Sequence, residues 1–128
     1  MPSIKSAAEA LALSHVEAWS KHDWDAARKL LAEGVHGTVT SPQPTMPKTD
    51  TVGIEDYMDG LIKFAEAVVP GSLELNGSIG DEHSALLLVT VKADFPGIGH
   101  VNISGGRCYL FNEDNKLASE QTVFIAHA

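Results

Sequence analysis

His100–Ala126 reads HVNISGGRCYLFNEDNKLASEQTVFIA. Two runs of alternating side chains flank the polar break Asn112–Asn115, the pattern of an antiparallel hairpin. With that break as the loop, Phe111 falls opposite Lys116, Tyr109 opposite Ala118, Arg107 opposite Glu120 and Gly105 opposite Thr122. Opposed residues share a sheet face because side chains alternate with a period of two. One face then carries Val101, Ile103, Gly105, Arg107, Tyr109 and Phe111 with Ala118, Glu120, Thr122 and Phe124. The other carries His100, Asn102, Ser104, Cys108 and Leu110 with Leu117, Ser119, Gln121, Val123 and Ile125. The first face is apolar and aromatic except for Arg107 and Glu120. A lone buried charge is very costly, so on a buried face these two must pair or face a wet cavity.

Upstream of the hairpin, the chain supplies helices first and strands second. Ser6-Ala-Ala-Glu9 is a capping box that opens a helix with Ala8, Leu11, His15 and Trp19 on one stripe. Asp23 reads as the N-cap of a short helix over 24–32, and Gly34 as its stop. Val35–Thr40 reads as a strand. SPQPTMPKTD, at 41–50, holds three prolines and is expected to be irregular, either a connection or a flap over a cavity. A third helix is expected from Gly53 to about Val69, with Ile54, Tyr57, Met58, Leu61, Phe64, Ala65 and Val68 on its apolar face. Strands follow over 72–79 and 85–95, with turns at 80–83 and 96–99. Helices followed by an antiparallel meander predict an α+β fold with the helices on one sheet face.

Composition excludes several function classes. At 128 residues the chain is expected to be one domain, 1–128. A net charge of −8 without a basic cluster argues against nucleic acid, whose binding rests on phosphate neutralisation. Cys108 is the only cysteine, so no disulfide forms within the chain. No apolar run approaches the ~18 residues of a membrane span, and no basic segment followed by an apolar run opens the sequence. The expectation is a cytoplasmic protein without a membrane partner. The histidines show no compact ligand spacing, so no metal is expected. A nucleophile elbow and a dinucleotide fingerprint are both missing, and no cofactor is expected.

The stretches HVEAWSKHDWDAARKLLAEGV (15–35), Gly53-Ile54-Glu55 and FNEDNKL (111–117), in that order and spacing, resemble the nuclear transport factor 2-like superfamily. That group contains the ketosteroid isomerases, SnoaL-type polyketide cyclases, scytalone dehydratase and limonene epoxide hydrolase. The resemblance covers nearly the whole chain. It implies a cystatin-like, cone-shaped fold: a strongly curved mixed or antiparallel sheet wrapped around three N-terminal helices. It also implies a pocket on the concave face and a homodimer through the outer sheet face. Aligned with the ketosteroid isomerases, their helix-one tyrosine falls at His15, their general-base aspartate near Ser41 and their protonated aspartate at Arg107. Neither carboxylate is retained, so an isomerase of that mechanism is disfavoured.

The site expected from face and resemblance together has Glu120 as acid–base group, Arg107 as its partner and His15 as a second polar contact. Trp19, Tyr57, Leu61, Phe64, Leu87, Val89, Tyr109, Thr122 and Phe124 are expected to line the hollow around a small, largely apolar organic ligand. The bland alternative for the pair is a solvated cross-strand contact contributing ~0.2–1 kcal/mol, and for His15 a hydrogen-bonded core histidine. Two functions follow: acid–base catalysis as a lyase, isomerase, cyclase or hydrolase, or non-catalytic ligand binding or association on the same fold.

Overall fold

A computed structural model describes residues 4–128. Its elements are α1 (Ala7–Ser20), α2 (Trp24–Lys29), β1 (Leu31–Thr40), β2 (Thr49–Val52), α3 (Ile54–Ala65), β3 (Glu74–Gly80), β4 (Ser84–Phe95), β5 (Gly99–Phe111) and β6 (Leu117–His127). The strands form one curved, unclosed sheet in the order β2-β1-β6-β5-β4-β3. Among the described residues only β1 and β6 run parallel; the other strand pairings are antiparallel. The fold is α+β, as expected. Among the described residues, no helix is long and apolar enough to cross a membrane.

α1 begins where the capping box places it. Ser6 accepts from the Glu9 backbone N–H at 3.2 Å and donates to the Glu9 carboxylate at 2.6 Å. Ser78 on β3 donates to the other Glu9 oxygen at 2.6 Å, so the cap also ties α1 to the sheet. Ala8, Ala12, His15, Val16 and Trp19 are buried against the concave face. α3 buries Tyr57, Met58, Leu61 and Ala65 against β1 and β2.

Three expected boundaries move, each through tertiary pairing. α2 stops at Lys29 rather than at position 32, because Leu31 enters β1 opposite Leu117 and the Leu30 carbonyl accepts from the Leu117 N–H at 2.7 Å. α3 stops at Ala65 rather than near Val69. The residues beyond it pair with β4 instead: Val69 donates to Lys92 and Asp94 to Ala67, each at 2.8 Å. Segment 41–50 is not wholly irregular, since Thr49 and Asp50 open β2. Its proline-rich part is anchored: the Gln43 side-chain amide exchanges two hydrogen bonds with Ala126, and Met46 is buried. A local pattern cannot reveal these partners, which lie far away in the chain.

The hairpin register also differs from the simple count. Tyr109 lies opposite Glu120, Arg107 opposite Thr122 and Gly105 opposite Phe124. The loop closes one residue later, with Asn112 N–H donating to the Lys116 carbonyl at 2.8 Å and Asn115 left-handed at φ 59°. The Asn112 side chain accepts from Asp114 and Lys116, an arrangement asparagine favours in turns. Ala118 then bulges, since Leu117 faces Phe111 while Ser119 faces Leu110. Loop and bulge add up to a two-residue slip, which leaves every residue beyond the bulge on its expected face. Leu117 alone changes sides: it is fully buried instead of outward-facing. Leu117→Ala should therefore cost about 2–5 kcal/mol. Gln121→Ala, on the exposed side of β6, should stay within about 0.5 kcal/mol of the parent. Urea unfolding of both variants measures the contrast.

Candidate active site

α1, α3, β5 and β6 converge on one buried polar cluster. Arg107 and Glu120 are diagonal neighbours across β5 and β6, still within reach for long side chains. The Arg107 Nη2 donates to Glu120 Oε2 at 3.0 Å, and the residues are 4% and 2% exposed, which rules out a solvated surface pair. Thr122, opposite Arg107, donates to the same carboxylate oxygen. Tyr57, from the first turns of α3, donates to Glu120 Oε1. Arg107 Nε donates to the Tyr109 hydroxyl at 2.8 Å. His15, from α1, lies between the two phenols, 3.1 Å from each.

The protons in this ring have one consistent arrangement. The Tyr57 hydrogen goes to the carboxylate, so the Tyr57 oxygen must accept from His15 Nε2–H. Tyr109 accepts from Arg107, so its hydrogen goes to His15 Nδ1. Hydrogen bonds thus run in one sense from the guanidinium through Tyr109, neutral His15 and Tyr57 to the carboxylate. The guanidinium also lies 4.7 Å from the Trp19 ring centroid, a cation–π contact. The Trp19 Nε1 is the one buried side-chain polar atom without a partner among the described residues.

Electrostatics support the same protonation states. Burial pushes the His15 pKa down to about 4; the Glu120 charge opposes this shift and Arg107 reinforces it. Burial and then the Glu120 charge raise Tyr57 well above its ordinary value. Burial also raises Tyr109, against the pull of Arg107. For Glu120, burial favours the neutral acid. Arg107 outweighs it together with His15, Thr122 and Tyr57, and the carboxyl titrates below its usual range. Arg107 likewise holds its proton more tightly than usual, because Glu120 and the phenols offset the cost of burial.

A hollow of about 20 Å³ adjoins the cluster, roughly the room one water needs. Of the residues expected to line it, Tyr57, Leu61, Phe64, Arg107 and Glu120 do so. His15 does not reach it. It stands behind Tyr57, in the second expected role, that of a hydrogen-bonded core histidine. Trp19, Leu87, Tyr109 and Thr122 are buried in the surrounding core, not in the lining. Val89 and Phe124 border a different, outward groove of about 400 Å³.

Sequence reasoning missed Gly37, Val39, Thr49, Thr51 and Gly60, which complete the wall. Alternation in Thr49–Val52 was the available signal for β2, hidden by the neighbouring prolines. Gly37 has a steric reason: a Cβ there would stand 2.7 Å from the Tyr57 ring. Among the described residues, no group of three His, Cys, Asp or Glu side chains could hold a metal ion.

A curved, unclosed sheet folded over three helices is the nuclear transport factor 2-like, cystatin-like fold. The chain belongs to the SnoaL-like domain family, whose profile matches residues 12–120. No curated protein matches the sequence. Solved structures share the fold at low identity. A provisionally assigned polyketide cyclase from Acidithiobacillus ferrooxidans is 20% identical with a TM-score of 0.72, over 95% of this chain and 90% of that one. A nuclear transport factor 2-like protein of unknown function from Cytophaga hutchinsonii is 17% identical with a TM-score of 0.66, over 91% and 97%. An uncharacterised protein with a cystatin-like fold from Silicibacter pomeroyi is 18% identical with a TM-score of 0.69, over 90% and 73%.

The depressed His15 pKa makes stability pH-dependent. The unfolded histidine binds a proton near pH 6.5, whereas the folded one stays neutral down to about pH 4. The unfolded state thus holds more protons within that window, so stability falls as pH drops through it, by up to about 3 kcal/mol. Glu120, whose pKa is lowered on folding, adds a further loss below the ordinary carboxylate range. Urea unfolding between pH 7 and pH 4 should show this slope, and His15→Phe should flatten its upper part.

Proposed function

We propose that the protein is an acid–base catalyst acting on a small, largely apolar organic molecule held beside Glu120. The reaction class is proton transfer or addition of water, covering lyases, isomerases, cyclases and hydrolases. The observation that carries this reading is the meeting of an ionised carboxylate, a guanidinium and a phenol at one hollow whose remaining wall is mostly apolar. Glu120 accepts or returns a proton, Arg107 holds the carboxylate and stabilises developing negative charge, and Tyr57 donates a hydrogen bond at the same place. His15 acts through Tyr57 by fixing the direction of its hydroxyl. Such a cluster adds little to stability that well-packed apolar side chains could not match, which favours a chemical reason for it. The provisional cyclase assignment of the Acidithiobacillus ferrooxidans relative is compatible with this class.

A second reading has its own support. The hollow is small and the polar groups satisfy one another, as a ligand-binding or association module without turnover would also allow. Glu120→Gln separates the two. If the chemistry is as proposed, the variant loses turnover by about 10²–10⁴-fold while its circular dichroism is retained. Undiminished turnover on any substrate the parent converts removes Glu120 from the mechanism.

The outer sheet face is proposed to pair with a second copy of the chain. Ile79, Leu88, Leu110, Val123 and Ile125 are each at least 44% exposed there, a larger apolar surface than isolated exposed residues provide. Sedimentation should show a dimer that Val123→Glu converts to a folded monomer. A monomeric parent at micromolar concentration would refute the interface.

A further inference from the structure

The hollow beside Glu120 has a neighbour on the surface. A groove of about 530 Å³ runs along α3 past Asp59, Ile62, Lys63 and Glu66. Thr49 and Gly60 belong to the walls of both spaces. The inner and outer spaces are therefore separated by one seam, between the first residue of β2 and the middle of α3.

Gly60 is an unexpected residue for that position. It lies inside a helix, where glycine weakens the structure relative to alanine. Its backbone does not need glycine, since it is absent from the residues with positive φ. The packing does not need it either: a Cβ would sit 3.6–3.9 Å from the Thr49 and Thr51 side chains, an ordinary contact. Gly37, by contrast, is required by the Tyr57 ring. Neither backbone strain nor close approach accounts for Gly60, and what remains is the width of the seam.

The chemistry of the inner end restricts what passes. Arg107 and Glu120 cancel one another's charge, so an ionised group placed beside them would be buried without a counter-charge. A neutral oxygen is favoured: one hydroxyl can donate to Glu120 and accept from Arg107. The inner volume fits a group about the size of one water. The outer groove, with Ile62 between charged neighbours, suits a longer and partly apolar remainder.

We propose that the hollow and the α3 groove form one bipartite site, joined through the Thr49–Gly60 seam, for an elongated organic molecule with a slim, neutral, hydroxyl-like tip. This deepens the proposed function and rests on Glu120 facing a ligand. The test uses hexan-1-ol, hexanoate and hexylammonium as probes, followed by NMR at the Tyr57 ring and the Lys63 amide. Hexan-1-ol should shift both signals along one saturation curve, with the two ionised probes weaker by about tenfold or more. Gly60→Leu should abolish the Tyr57 response. Should that variant fail to fold, Gly60→Ala should raise Tm and still weaken the Tyr57 response several-fold. A Tyr57 response that survives both substitutions overturns the seam as the access route, while leaving the pocket reading intact. A response at Lys63 alone, at neither residue, or equally strong for the ions overturns the bipartite site. The catalytic reading is decided separately, by turnover of Glu120→Gln.

Discussion

The buried contact between Arg107 and Glu120 constrains the rest of the molecule. Two opposite charges in an apolar core gain strongly from each other, but each has first lost its hydration. The deficit is met only if the remaining donors and acceptors find partners. Thr122 and Tyr57 supply them for the carboxylate, Tyr109 and the Trp19 ring for the guanidinium. His15 closes the ring by joining the two phenols. Each of these residues comes from an element whose position is fixed by other packing, so the network is a meeting point of α1, α3, β5 and β6. The hydrogen-bonded ring specifies one arrangement of its members, because any displaced member leaves a buried polar group unpaired.

The same requirement explains local features that look unrelated. Gly37 lacks a side chain because the Tyr57 ring occupies its place. The Ala118 bulge and the left-handed Asn115 shift the hairpin by an even number of residues, so Glu120 remains on the concave side. An odd slip would have turned Glu120 outward and Gln121 inward, leaving Arg107 buried alone. The alternation that buries the charged pair also turns Leu88, Val123 and Ile125 toward the outside. Core chemistry and the apolar outer surface are thus two consequences of one register.

Direction within the network bears on chemistry. Because the guanidinium donates at one end and the carboxylate accepts at the other, the intervening hydroxyl and imidazole hydrogens all point the same way. Burial keeps the imidazole neutral, and a neutral imidazole can donate on one side while accepting on the other. Tyr57, the phenol that meets the hollow, is thereby held with its hydrogen on the carboxylate and a lone pair toward His15. The site is charged in its parts and neutral as a whole.

Much of this was legible in the amino-acid order. The capping box marked the start of α1, the alternation of His100–Ala126 marked the hairpin, and the same alternation put Arg107 and Glu120 on one face with Tyr109, Thr122 and Phe124. These are short-range statements, set by the helical and strand periods and by the cost of burying charge. The tertiary structure decided what depends on distant partners. Leu31 left its expected helix to pair with Leu117, Thr49–Val52 became a strand by lying beside β1, and His15 proved to touch two phenols that stand 42 and 94 residues away along the chain. Periodicity assigns a side chain to a face. Which atoms it meets there is settled only when separate elements pack, since contact distances depend on the joint placement of several backbones and no single stretch encodes that.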